Sequence, residues 1–217
     1  MKIQSNFLCA LTLFLTASFG MLHAQSDNVT TEFGVKGGFN MSNLYGSGED
    51  VDDNNVLYGF NAGVYATMPI SDYIAIQPEL LFTTKGAELE YNEAGINGNA
   101  KFKLNYIELP LLVRVNITKN FNVQAGGYAS YLVSSKVTGE GDIEFDENVD
   151  TDDLNKFDAG LSAGVGVDFS PISIGVRYNY GLTTVGKERT EPITGTKYTF
   201  PDAKNSNLSV YLSYKLN

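Results

Sequence analysis

The chain has 217 residues, of which 25 are acidic and 15 basic, so its net charge at pH 7 is −10. A surface this acidic disfavours nucleic acid, which proteins bind through basic patches. The length fits one domain, and no linker rich in Pro or Ser divides the chain.

Residues 1–24 are predicted to be a secretory signal peptide. Lys2 supplies the positive start, an apolar run covers 7–22, and Leu-His-Ala ends at Ala24, before Gln25. The alternative is an uncleaved membrane anchor. Cys9 lies inside the apolar run, too early for the acylated Cys of a lipoprotein, which directly follows the cleavage point.

Cleavage would remove the only Cys and the only His, and the chain has no Trp. The segment contains one Lys and no acidic residue, so the net charge becomes −11. Mechanisms that need a Ser-His-Asp or Cys-His arrangement are then excluded. Zn, Cu and haem sites lose their usual ligands. We therefore predict no catalytic residue, no cofactor and no metal site.

Eight segments after residue 32 alternate apolar with small or polar side chains, which is the pattern of strands with two different faces. In chain order these segments are 33–44, 57–68, 73–85, 101–117, 121–135, 157–169, 172–183 and 207–216. The connections alternate between long polar loops (45–55, 86–100 and 136–156) and tight turns (69–72, 118–120 and 170–171). Antiparallel hairpins joined in this order predict an up-and-down barrel.

The alternation does not say which face points outward, since a soluble lipocalin-like barrel would turn its apolar face inward. Three features favour a membrane: few charges on the polar face, all tight turns at one end, and aromatic residues near strand ends. Those aromatic residues are Phe33, Tyr58, Phe60, Tyr73, Phe102, Phe121, Phe157, Phe169 and Tyr214. Ten strand residues tilted by about 40° also span about 25 Å, the height of an outer-membrane apolar band.

The predicted fold is therefore an all-β, eight-stranded antiparallel transmembrane barrel with short periplasmic turns and long external loops. It occupies residues 33–217, after a short N-terminal lead at 25–32. The expected location is the cell outer membrane.

Four charged residues on the polar face are predicted to form a structural network inside the barrel: Glu79, Glu108, Arg114 and Arg177. Counted from the tight-turn end, Glu79, Arg114 and Arg177 lie at similar heights, so we expect their charges to meet. Charges in so confined a space must be paired. Side chains fill an eight-stranded barrel, so an open pore is not expected. A proton path, or acid–base catalysis by Glu79 and Glu108, is the alternative.

Two further features are interpreted from composition. Pro78 and Pro110 fall inside strands, where Pro normally marks an edge or a bulge, so we expect local bulges. Acidic residues cluster at 49–53 and 140–153. One interpretation is that these clusters are solvated loops. The alternative is that they bind divalent cations such as Ca²⁺, which could bridge the carboxylates to lipopolysaccharide phosphates. Neither cluster matches an EF-hand loop.

Several segments resemble the PorT-like outer-membrane β-barrel family of Bacteroidetes, in the same order along the chain. They are Gly34-Val-Lys-Gly-Gly-Phe-Asn, Pro78-Glu-Leu-Leu-Phe, Tyr106-Ile-Glu-Leu-Pro-Leu-Leu-Val-Arg114, Ala125-Gly-Gly-Tyr-Ala and Arg177-Tyr-Asn-Tyr-Gly-Leu182. The resemblance covers essentially all of 33–217 and implies an eight-stranded outer-membrane barrel. The family is named after a member needed for protein secretion.

We expect a non-enzymatic barrel that holds external loops for surface interaction or envelope integrity. Its expected partners are outer-membrane lipid and lipopolysaccharide, with proteins of an envelope assembly as further candidates. A component of a protein secretion or transport assembly is the first alternative. A small-solute channel is the second, and an enzyme with a carboxylate-only mechanism is the third.

Overall fold

The computed structural model describes residues 30–46, 54–93, 96–141, 145–148, 154–190, 197–200 and 202–217. The predicted signal peptide and the side chains of both acidic clusters lie outside this description. Among the described residues, no helix is long and apolar enough to cross a membrane.

The described chain is built from β-strands. In chain order they are β1 (Glu32–Gly46), β2 (Asn54–Asn55), β3 (Leu57–Pro69), β4 (Ile74–Glu93), β5 (Ile96–Asn116), β6 (Phe121–Gly141), β7 (Phe145–Asn148), β8 (Phe157–Phe169), β9 (Ile172–Thr184), β10 (Lys187–Thr190), β11 (Lys197–Phe200) and β12 (Ala203–Lys215). Eight of them are long: β1, β3, β4, β5, β6, β8, β9 and β12.

The eight long strands close into a barrel. Each pairs antiparallel with the next along the chain, and β1 pairs with β12, for example Gly38 with Tyr211. Closure leaves no sheet edge within the barrel wall, which a bilayer requires because lipid cannot bond to free backbone groups. The predicted eight-stranded antiparallel barrel is confirmed.

The apolar face of each strand points outward. Phe39 is 80% exposed, whereas the next residue, Asn40, is completely buried. The same alternation runs through β8, where exposed Leu161 follows buried Gly160. This arrangement is opposite to that of a lipocalin and suits an apolar solvent around the barrel.

Seven of the nine aromatic residues predicted at the membrane borders are exposed on the outside, and Tyr73 is exposed at the tight-turn end, where it lines a cavity. Phe102 is the exception, because it is partly buried and packs against the core cluster inside the barrel. It lies on the same strand face as the buried Leu104 and Tyr106. Its prediction as an interfacial residue was wrong.

Three strands, β4, β5 and β6, extend furthest beyond their predicted ends. The ladder between β4 and β5 continues to the pair Glu93–Ile96, so most of the predicted loop 86–100 is a hairpin. Likewise, β6 reaches Gly141 and pairs with β7 inside the predicted loop 136–156. The apolar alternation stops where the lipid ends, but backbone pairing needs no apolar side chains and continues into the polar region.

The bulges expected at Pro78 and Pro110 are not present. The register of strand pairing is the same before and after both residues. Pairs are missing from the ladders only next to the prolines, because Pro has no N–H to donate. The register shift in this part of the barrel lies between Asn105 and Tyr106, opposite β6. It turns Ser134 outward, although strict alternation from the buried Ser130 and Leu132 would place Ser134 inside.

Candidate functional site

The inward side chains form layers along the barrel axis. A cavity of about 530 Å³ opens at the tight-turn end, where its lining includes Tyr65, Tyr73 and Arg114. Two groups of buried charges follow, which we call the Glu79 cluster and the Lys85 cluster. An apolar layer, which we call the plug, fills the barrel at the external end.

The Glu79 cluster consists of Glu79 with Lys36 and Arg177. Arg177 donates two hydrogen bonds to the carboxylate, at 2.7 and 2.9 Å, and Lys36 Nζ lies 2.6 Å from Oε1. Gln77 donates to the same oxygen, and Gln124 accepts a hydrogen bond from Arg177. All five side chains are buried. The carboxylate therefore has the several charge-assisted partners that an ion needs inside a protein.

The Lys85 cluster has the opposite balance of charge. Lys85 Nζ lies 2.5 Å from Glu108 Oε2 and 3.3 Å from Asp158 Oδ2. Asn179 donates to Glu108 at 3.1 Å. The ammonium group also lies 4.2 Å from the centre of the Tyr128 ring, within the range of a cation–π contact.

The two clusters are neighbours and neutralise each other. The Glu79 cluster has two cations and one carboxylate, whereas the Lys85 cluster has one cation and two carboxylates. Lys36, Glu108 and Arg177 line the same void, which is only about 10 Å³ and so has room for one water molecule. The pair of clusters thus buries six charges with no net charge.

Arg114 lies apart from both clusters, at the edge of the 530 Å³ cavity. Its guanidinium pairs with Asp168 at 2.5 Å, with the two side chains 15% and 20% exposed. Asn122 and Ser173 also donate to Asp168. The prediction that Arg114 meets Glu79 and Arg177 was wrong, because barrel strands are tilted and staggered, so equal counts along them are not equal heights.

Of the predicted network residues, Glu79 and Arg177 contact each other, whereas Glu108 and Arg114 have other ionic partners. Sequence reasoning did not assign Lys36, Lys85, Asp158 or Asp168 to the network. A signal was available, since all four lie on the polar face of their strands. Counting every charge on that face would have found them.

The plug is made of buried apolar residues that point inward at the external end: Leu44, Ala87, Leu104, Tyr106, Leu132, Leu154, Val185 and Ala203. A second void of about 10 Å³ lies nearer the tight-turn end, bordered by Lys36, Arg114 and Tyr211. Plug, clusters and these small voids leave no wide passage through the part of the barrel that the structure describes.

The geometry also limits the chemistry of the interior. Glu79 and Glu108 each contact a buried cation. The void that Glu108 borders is no larger than one water molecule, so a substrate has no room there. Within the described residues, no group of three or more His, Cys, Asp or Glu side chains could hold a metal ion.

A closed eight-stranded barrel with an apolar outside and a filled polar interior defines a small outer-membrane β-barrel protein. Comparison with family models agrees with this class. The model described as "Outer membrane protein beta-barrel domain" matches residues 23–186, which is more than half of the chain. The chain belongs to this family, and its location is the outer membrane.

Similar solved structures are outer-membrane proteins of low sequence identity. Neisserial surface protein A is 17% identical with a TM-score of 0.51, over 86% of this chain and 99% of that one. Ail of Yersinia pestis, in complex with the heparin analogue sucrose octasulfate, is 15% identical with a TM-score of 0.45, over 86% of this chain and 99% of Ail. The protease OmpT of Escherichia coli is 10% identical with a TM-score of 0.38, over 89% of this chain and 99% of OmpT.

No curated protein matches the chain. At these identities, the similarity to Neisserial surface protein A concerns the fold alone.

Proposed function

We propose that this protein is a non-enzymatic scaffold, which holds external segments at the cell surface for surface interaction or envelope integrity. The filled barrel carries this proposal. The buried charges are engaged with one another and the plug closes the external end, so little of the interior remains for a substrate or a solute. The surface available for function is then at the ends of the barrel.

The external end is the larger candidate surface. There β4, β5 and β6 form a continuous extension beyond the ends of β3 and β8, with β2 and β7 paired to its sides. A hydrogen-bonded extension of this kind positions the loops that follow it. We also propose, from the sequence resemblance, that the chain is PorT-like. A barrel in the outer membrane lies beside the outer-leaflet lipid, so we propose lipopolysaccharide among its partners.

The proposal can be tested by complementation of a strain that lacks the protein. In one variant, segments 47–53, 142–153 and 191–196 are replaced by short Gly-Ser turns. In the control variant, the periplasmic turn 118–120 is replaced instead. Gel mobility before and after boiling shows whether each barrel folds, and dye uptake and binding to host-cell or abiotic surfaces measure function.

We expect both variants to fold and only the external-segment variant to behave like the deletion strain. Full complementation by the external-segment variant would contradict the scaffold function. Specific protein partners that co-purify with the wild type and control in detergent, but not with the external-segment variant, would favour the secretion or transport assembly.

A further inference from the structure

Three spaces follow one another along the axis of the barrel. We call the void beside Glu108 and Arg177 the cluster void, and the void beside Arg114 the turn-side void. Lys36 and Tyr211 line both of these voids. Arg114 lines the turn-side void and also the 530 Å³ cavity at the tight-turn end. The spaces are therefore adjacent, in the order turn-end cavity, turn-side void and cluster void.

Two polar atoms of side chains that line the cluster void have no hydrogen-bond partner in the described part of the protein. They are Nε of Arg177 and Oδ1 of Asn207, and both side chains are buried. The terminal nitrogens of Arg177 donate to Glu79 and Gln124, whereas its Nε–H has no acceptor. A buried donor or acceptor without a partner is costly, so such atoms nearly always bond to protein or to an ordered water.

A single water molecule can satisfy both atoms. It accepts a hydrogen bond from Arg177 Nε–H and donates one to Asn207 Oδ1. The cluster void of about 10 Å³ has the volume that one water needs. Polar side chains such as Asn61 and Ser209 also line it, and a buried water usually makes about three hydrogen bonds.

The turn-side void has the same size and is also polar. Its lining includes the buried side chains of Gln77, Asn122 and Gln124. The plug differs from both voids, because Tyr106 carries the only side-chain polar atom among its buried residues. Small polar spaces hold water, whereas small apolar spaces stay dry. Water in the interior should therefore reach the charge clusters and stop at the plug.

We propose that each void binds one water molecule, and that the two waters extend the turn-end cavity to Glu108. The water in the cluster void joins the two charge clusters, because Arg177 belongs to one cluster, Glu108 to the other, and both line this void. The path ends at the plug. The interior is then hydrated from the periplasmic end and dry at the external end. This inference is independent of the proposed role of the external segments.

X-ray footprinting of the folded protein in nanodiscs tests the proposal. X-ray pulses split bound water into hydroxyl radicals, which oxidise the side chains beside it, and mass spectrometry locates the oxidised residues. Leu81 lines the cluster void and Tyr211 lines both voids. Their matched controls, Leu104 and Tyr106, belong to the plug and line neither void. All four side chains are at most 4% exposed, so bulk solvent does not distinguish them.

We expect oxidation of Leu81 and Tyr211 and none of Leu104 and Tyr106. Absence of oxidation at Leu81 or at Tyr211 in the folded wild type would overturn the proposal. Oxidation of Leu104 as fast as that of Leu81 would overturn the dry external end.

The variant Asn207→Leu tests the site in the cluster void, because it replaces the unpartnered oxygen with an apolar group of similar size. Oxidation of Leu81 should be lost, whereas that of Tyr211 should persist through the turn-side void. The control is Asn205→Leu, which lies on the same inward face of β12 but lines neither void. Its Leu81 should be oxidised as in the wild type.

Gel mobility before and after boiling confirms that each variant folds, and the comparison within the wild type depends on neither variant. Unchanged oxidation of Leu81 in Asn207→Leu, or an equal loss in Asn205→Leu, would overturn the assignment of a water to Asn207.

Discussion

Glu79 is the carboxylate on which two buried cations depend. The substitution Glu79→Gln keeps its shape but removes the only carboxylate that contacts both Lys36 and Arg177 among the described residues. We expect the free energy of unfolding to fall by about 3–5 kcal/mol, the usual cost of breaking a buried ion pair. Because the chain has no Trp, urea unfolding in micelles is followed by circular dichroism.

The matched control for this substitution is Glu32→Gln. Glu32 pairs with Lys215 at 2.9 Å, but the two side chains are 41% and 30% exposed. Such pairs contribute about 0–1 kcal/mol, so the control should change the free energy of unfolding little. Equal losses in the two variants would show that burial does not set the strength of these pairs.

At the scale of the strand, tyrosine rings inside the barrel lie against glycines of neighbouring strands. A Cβ atom at Gly175 on β9 would lie 2.4 Å from the Tyr211 ring of β12. We expect Gly175→Ala to lower the free energy of unfolding by about 1–3 kcal/mol, because the ring or the strand must move. Urea unfolding in micelles measures the loss.

Gly37→Ala is the control, since the nearest atom to its added Cβ, the Asn61 carbonyl oxygen, would be 3.7 Å away. It should change the free energy of unfolding by no more than about 0.5 kcal/mol. If both substitutions were equally costly, contact with Tyr211 would not be the cause.

The strands also show how far a sequence pattern extends. The bounds of β8 agree with the prediction, because its alternation ends where its lipid contact ends. The bounds of β4 and β5 do not, because their outer halves pair with each other and need no apolar side chains. The plug was missed for a related reason. Leu104 and Leu132 are apolar residues on a face that was predicted to be polar.

At the scale of the whole molecule, the filled interior predicts that the barrel does not conduct ions. Two small voids lie between the turn-end cavity and the plug, and each is only about 10 Å³. The plug closes the external end. Purified protein in planar bilayers should give no steady conductance step under constant voltage. A reproducible step, absent with boiled protein, would revive the small-solute channel.

The sequence by itself determined the barrel, its eight strands, its outward apolar face and the inward position of Glu79, Glu108, Arg114 and Arg177. Each of these properties depends on the local alternation of side chains and on turn composition, which need no knowledge of distant contacts. Only the tertiary structure decided which charges meet. Arg177 reaches Glu79 while Arg114 reaches Asp168, because the tilt and stagger of a closed barrel set the height of each residue, and no single strand contains that information.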